Sequence, residues 1–380
     1  MNSPADRHPI SLTAAILSTR LAVLLAGVIG VVTIGTVPPQ NYPATWRIAS
    51  NELANLLARW DTFWYHSIAT RGYHWDPTQF RHENVVFFPL YPMLMRWGGW
   101  LIGGHPLVAG FVVSAGAFAG AMWVLYRLAR LDLGEQDARA ALVLLAAYPF
   151  ALYYSVVYSE ALFLFVIATA FYAMRRGLLM AAALFGLAAG LTRPNGLWLS
   201  VPLFLLAIRD GESSGFRGRR IAALAVCLAP IAGTAIYSGY LYFRFGDGLA
   251  WVHGQAAWGL PLFGGHGAVE PGDTFPDHIT VTDVLTWTGN IASFALALVA
   301  VRPVFRRFGA AYAALIVFTV IPPLATHLFM SMGRFTSVLF PVFLWLGAVV
   351  PRERLPRVAW SFAAAQMVLA FLFFLWRPVV

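Results

Sequence analysis

Four charged side chains sit where long apolar runs meet polar ones: Asp61, Glu160, Arg193 and Arg334. Asp61 follows Trp60 on the apolar side of an expected helix. A carboxylate beside aromatics at a membrane surface is costly unless it is paired or used. It can serve as a general base that takes a proton from an attacking hydroxyl, or as a structural Asp paired with a neighbour such as Arg59. Arg193 and Arg334 each stand at the end of an apolar run. There a guanidinium can bind a phosphate headgroup through two parallel hydrogen bonds, or simply extend along the span towards water. Glu160 falls between two short apolar runs with almost no loop around it, so it must face a wet cavity or a partner. A second site carboxylate and a structural pair with Arg193 both fit that position.

Other candidate chemistry is weaker. His66, His74 and His82 recur every eight residues, not at the i, i+4 spacing that puts two ligands on one helical face. His253, His266 and His278 are scattered through a glycine-rich stretch. Nothing in these spacings requires a metal ion, although Asp61 and Glu83 are residue types a divalent cation could use. Gly246–Gly248 and Gly264–Gly267 lack the strand, helix and Lys of a phosphate loop. Cys227, the sole cysteine, lies in an apolar run and suits packing better than nucleophilic work.

The elements that must position these groups are membrane spans. The chain has 380 residues, of which 59% are hydrophobic and 11% charged, with mean hydropathy +0.68. A soluble domain carries about 25% charged residues. Apolar windows at 12–36, 106–130, 139–156, 160–175, 178–192, 196–209, 220–243, 282–301, 309–329, 335–350 and 357–376 predict an all-α integral membrane bundle of about 11 spans, several of them short. The whole of 1–380 reads as one domain, and the first window as an uncleaved span. All 26 basic residues are Arg. With the N-terminus in the cytoplasm, 16 of them fall in cytoplasmic loops and 9 outside, with Arg20 inside the first span, which is the orientation the positive-inside rule selects. Arginines scattered at span ends suit anionic lipid headgroups and not nucleic acid.

That orientation puts ten of the 17 carboxylates and eight of the nine histidines on the outer side. The two long non-spanning segments, 37–105 and 244–281, are outer as well. Within the first, Leu53, Leu56, Leu57, Trp60, Trp64, Ile68 and Ala69 mark an amphipathic interfacial helix over 51–73. A second, mostly apolar piece follows over 85–102. Trp60, Trp64, Trp75, Trp97 and Trp100 are placed as interfacial anchors would be.

Four motifs in order then carry a family resemblance. Trp60-Asp61, Ile68-Ala69, Gly72-Tyr73, Glu83-Asn84 and Phe87-Phe88-Pro89-Leu90-Tyr91-Pro92 resemble the first lumenal loop of the PIG-V family. That family contains the second mannosyltransferase of glycosylphosphatidylinositol-anchor assembly, together with bacterial relatives. Tyr158–Phe163, Thr192-Arg193-Pro194-Asn195-Gly196 (with Pro194 where the family has Ser) and Gly333-Arg334-Phe335 resemble its later motifs. The resemblance covers about residues 55–345 and implies a GT-C-type glycosyltransferase fold. It also implies a polyprenyl-phosphate sugar donor, mannose-bearing in that family, and chemistry on the outer face. Asp61 is then the expected catalytic base, with inversion at the anomeric carbon. Arg193 and Arg334 are expected on the donor phosphate, and Glu160, Glu83, Asn84, Tyr158 and Asn195 on substrate. No cofactor is required. The acceptor is expected to be a hydroxyl on a glycolipid or glycan, and a chain of this length need not act on an anchor precursor. A transporter or lipid flippase is the alternative; it would call for mid-span ionisable groups and inverted repeats, and no repeat is evident.

Overall fold

Among the described residues, five helical stretches are long and apolar enough to cross a bilayer: Leu12–Thr33, Pro106–Ala129, Ile221–Phe245, Val281–Phe308 and Leu355–Phe374. The computed structural model describes residues 12–36, 47–49, 51–79, 81–211, 217–258, 280–324 and 331–377. The Gly264–Gly267 run, His266 and His278, and the ends of the expected outer segments at 37–46 and 259–279, lie outside the described residues. Within them the protein is an all-helical, multi-pass membrane bundle, and every expected span window is helical over most of its length.

The chain begins with α1 (Leu12–Thr33), followed by α2 (Thr62–Arg71) and α3 (Leu90–Leu101) in the first long segment. Next come α4 (Pro106–Ala129), α5 (Glu135–Ala147), α6 (Glu160–Arg175), α7 (Leu179–Thr192) and α8 (Ser200–Gly211). Then α9 (Arg217–Val226) and α10 (Ala229–Phe245) run nearly end to end, and α11 (Ala250–His253) is a single turn. The last part holds α12 (Val281–Phe308), α13 (Ala310–Leu324), α14 (Met332–Ser337), α15 (Phe340–Val349) and α16 (Leu355–Phe374). α6 is the centre: it packs on α4 and α7, and 12 of its 16 residues are buried. A helix of 16 residues is short for a span, but one surrounded by protein has no lipid-facing ends to satisfy.

The amphipathic helix expected over 51–73 is shorter than its pattern suggests. Its helical part starts at Thr62, and residues 51–57 are turns. Asn55 takes the backbone N–H groups of Ile48 and Ala49 on its side-chain oxygen, and Trp60 has φ +52°, a left-handed conformation that ends any helix from the N-terminal side. The tryptophans also divide. Trp97 and Trp100 are exposed on α3, as anchors are. Trp60 packs on Trp376, Trp64 stacks on Phe87, and Trp75 lies against Gly254.

Glycines let two helices touch along their backbones. A Cβ on Gly190 would stand 2.0 Å from the Pro230 carbonyl oxygen, and one on Gly233 2.3 Å from that of Leu187. α7 and α10 therefore cross at a small-residue contact, which fixes the end of α7 just ahead of Arg193.

α5 ends in a 79° bend into a 3-10 stretch, Pro149–Ser155. Pro149 has no N–H to donate and pushes Tyr148 out of helical geometry, so carbonyls are freed inside the bundle. Arg20 of α1 supplies the missing donors: its guanidinium bonds the carbonyls of Ala146 (2.6 Å) and Ala151 and the Ser155 hydroxyl (3.1 Å). Gln366 of α16 donates to Ala146 and Tyr148 (3.2 and 2.7 Å) and lies 3.3 Å from Arg20 as an acceptor. An arginine within a span is thus spent on backbone rather than on a carboxylate. Arg20→Met keeps the length and removes the donors. It is expected to lower stability by about 2–4 kcal/mol, read as thermal unfolding in detergent; an unchanged transition would show that the bend does not need Arg20.

Candidate active site

The stretch before α2 is shaped by its own polar side chains. Arg59, whose side chain is fully buried, donates to the Asn55 and Phe374 carbonyls (2.5 and 3.0 Å) and lies 3.3 Å from Glu52. Asp61 occupies the N-cap position of α2 without capping it, because its side chain points elsewhere. Its own N–H donates to the Tyr158 hydroxyl (3.1 Å). The Asp61–Arg59 pair weighed from spacing does not form, since Arg59 is committed to Glu52 and backbone.

Tyr158, Ser159 and Glu160 lead into α6. The Ser159 hydroxyl is 2.8 Å from the Tyr65 hydroxyl of α2, and the Tyr158 carbonyl accepts from Ser114 of α4. Glu160 opens the helix, where the N-terminal end of the helix dipole favours a negative charge. Arg193 follows the C-terminus of α7 in extended conformation and leads into the 3-10 turn Pro194–Leu199.

Arg334 sits on the short helix α14, which enters from Ser331 in the left-handed region (φ +61°). Asn290 of α12 accepts the Gly333 N–H at 2.7 Å, Tyr154 donates to the Ser337 carbonyl at 2.6 Å, and Tyr148 lies 2.9 Å from the Thr336 hydroxyl. Gly333 is required for a steric reason: a Cβ there would fall 2.3 Å from the ring of Phe150.

These four elements meet at one point. Arg334 Nη1 is 2.7 Å from Asp61 Oδ2, while its Nε and Nη2 are 2.8 and 2.7 Å from Glu160 Oε1. Arg193 Nη1 is also 2.7 Å from Glu160 Oε1, close enough for an ion pair but not aligned as a hydrogen bond. The Arg334 guanidinium lies 5.1 and 4.9 Å from the ring centres of Tyr153 and Tyr158, and that of Arg193 lies 5.2 Å from Phe335. Asp61 is the most open of the four side chains, at 18% exposure; Glu160 is fully enclosed. Coulomb attraction in so dry a setting is strong, and each guanidinium face is covered by a ring. The cluster contains two cations and two anions, so it is formally neutral.

Several polar atoms around it have no hydrogen bond among the described residues: Glu160 Oε2, the Tyr153 hydroxyl and both amide atoms of Asn195. Buried polar groups are nearly always satisfied, and these four atoms are exceptions. Tyr153 was not marked by sequence; its only signal was a run of aromatics after Pro149.

Glu83 and Asn84 belong to another network. Glu83 pairs with Arg81 (2.7 Å) and His74 (3.0 Å). Asn84 accepts from the His74 N–H and donates to the Gly72 carbonyl (2.8 and 3.1 Å). Both side chains thus fold the segment between α2 and α3. Burial holds the imidazoles of His66 and His82 below the usual range and favours their neutral form at pH 7. Among the described residues no three His, Cys, Asp or Glu side chains gather as a metal site, and the position between Asp61 and Glu160 is filled by Arg334.

No protein-family model matches the chain, and no curated protein matches it. Among solved structures it is similar to the oligosaccharyltransferase of Archaeoglobus fulgidus in the apo form, with TM-score 0.45 and 14% identity over 97% of this chain and 55% of that one. It is similar too to archaeal oligosaccharyltransferase AglB from Archaeoglobus fulgidus in complex with an inhibitory peptide and a dolichol-phosphate, with TM-score 0.43 and 12% identity over 95% and 55%. The chain spans about half the length of these proteins. A likeness of this degree concerns the path of the helices and not the chemistry.

Gly333→Ala should drive Phe150 or α14 out of place and cost about 1–3 kcal/mol, measured by thermal unfolding in detergent. Adding Phe150→Leu should return most of the loss. A Gly333→Ala protein as stable as wild type would show that the ring does not hold α14.

Proposed function

We propose that this protein is a glycosyltransferase that moves a mannosyl residue from a polyprenyl-phosphate donor to a hydroxyl of a glycolipid or glycan on the non-cytoplasmic face, with inversion. The observation that carries the reading is the convergence of Asp61, Glu160, Arg193 and Arg334, beside polar atoms left unpartnered among the described residues. The likeness of their surrounding motifs to the PIG-V family supports mannose and the lipid phosphate.

The chemistry suits one base and two guanidinium groups. A sugar on a lipid phosphate already has a good leaving group, which needs cationic support more than a general acid. The acceptor hydroxyl is essentially un-ionised at pH 7 and a weak nucleophile with its proton on, so it needs a base as it attacks. Asp61 accepts the hydroxyl proton as the new C1–O bond forms and the C1–O bond to phosphate breaks. The leaving lipid phosphate gains one negative charge as Asp61 loses one. Arg334, released from an ionised partner at that moment, turns its charge to the phosphate with Arg193 beside it. Glu160 keeps both guanidinium groups in place, Asn195 and Tyr158 line the substrate side, and Glu83 and Asn84 act by shaping the loop.

The test is transfer from synthetic polyprenyl-phosphate mannose to a panel of hydroxyl acceptors by purified protein. Wild type is expected to turn over. Asp61→Asn, which keeps size and shape, should lose about 10²- to 10⁴-fold in kcat. Arg334→Ala should raise the donor KM or abolish transfer. Near-normal turnover by Asp61→Asn would remove the base, and no transfer from any polyprenyl-phosphate sugar would remove the function.

A further inference from the structure

The last turn of α16 is bound to the residues directly ahead of Asp61. A helix leaves its final carbonyls without intrahelical partners. Here Arg59 Nε donates to the Phe374 carbonyl (3.0 Å) and the Trp60 indole N–H to that of Phe373 (3.4 Å). The Arg59 cation also meets the negative end of the helix dipole. Just beyond the helix, Trp376 lays its ring 5.1 Å from the Arg59 guanidinium and 5.5 Å from the Trp60 ring.

Two residues of this contact hold left-handed backbone, Trp60 at φ +52° and Trp376 at φ +64°. Bulky side chains adopt that region only where their surroundings enforce it, at a cost on the order of 1–3 kcal/mol each. At Trp60 the consequence is local. The turn reverses the chain ahead of Asp61, so that its N–H meets the Tyr158 hydroxyl while its carboxylate meets Arg334. Relaxing Trp60 to an ordinary φ would rotate that peptide and swing the carboxylate away.

We infer that Arg59, Trp60 and Trp376 are positioning residues, through which the end of the last helix sets the place of the Asp61 carboxylate. The inference deepens the reading of Asp61 as a base and rests on it for its effect on rate. None of the three touches the reacting atoms. They act on Asp61 through the backbone turn between residues 59 and 61.

Trp376→Gly separates the ring from backbone strain, because glycine accepts the left-handed φ that tryptophan must be forced into. The full-length variant is compared with Trp376→Phe, which retains a ring. The first readout is hydrogen–deuterium exchange of the Asp61 amide, which needs no substrate. Exchange is expected to quicken on the order of tenfold in Trp376→Gly, to stay near wild type in Trp376→Phe, and to be unchanged in α4 and α6. The second readout is kinetic: kcat should fall about 10- to 100-fold with donor KM little changed. Unchanged exchange at Asp61 overturns the positioning role, as does faster exchange with wild-type kcat. Should Trp376→Gly not fold, Trp60→Phe, which removes the indole donor, is held to the same two criteria. A wild-type protein inactive on every polyprenyl-phosphate sugar defeats the functional reading separately, since exchange is judged without turnover.

Discussion

The rest of the site depends on one guanidinium kept almost dry. Arg334 is 7% exposed and answers to two carboxylates from distant parts of the chain, Asp61 and Glu160. A buried arginine with one partner missing leaves an uncompensated charge, which costs far more than an intact pair contributes. The loop before α2, the start of α6, the end of α7 and the short helix α14 are therefore tied together by charge as well as by packing. Two tyrosine rings under Arg334 extend the same constraint to the stretch after the α5 bend. A neutral cluster of two arginines and two acids can exist in an apolar bundle where any three of them could not.

The site lies where regular helices stop. α5 breaks at Pro149, α7 gives way to a 3-10 turn, α14 is six residues long, and α2 starts after a left-handed tryptophan. Breaks and helix ends free backbone groups that lipid could not satisfy, and particular side chains answer them at three places: Arg20 and Gln366 at the α5 bend, Asn290 at α14, and Arg59 and Trp60 at the end of α16. The longer helices packed around them hold these irregular pieces in place.

Much of this was readable from the chain. Hydropathy located the helices, and motif order singled out Asp61, Glu160, Arg193 and Arg334, which do share one cluster. Their pairing was not readable. Local spacing offered Arg59 to Asp61, yet Arg59 is taken up by Glu52 and by a carbonyl more than 300 positions away. The amphipathic pattern over 51–73 gave no sign of the break at Trp60, because a left-handed φ is enforced there by α16 and not by neighbours in sequence. Likewise Trp60 and Trp64 look like lipid anchors by type and prove to be packed against other aromatic rings. Tyr153 was invisible because its importance arises only once Arg334 lies over it.

The central claim is that Glu160 and Arg334 form one charge unit, and a double-mutant cycle tests it most directly. Glu160→Gln, Arg334→Gln and the double variant are compared by equilibrium or thermal unfolding in detergent. Each single change leaves the buried cluster of two cations and two anions with one charge uncompensated and should destabilise by roughly 3–5 kcal/mol, while the double variant, in which the charges balance again, should lose clearly less than the two together. Strictly additive losses would mean that the two side chains lie near each other without depending on each other, and the account built on Arg334 would not stand.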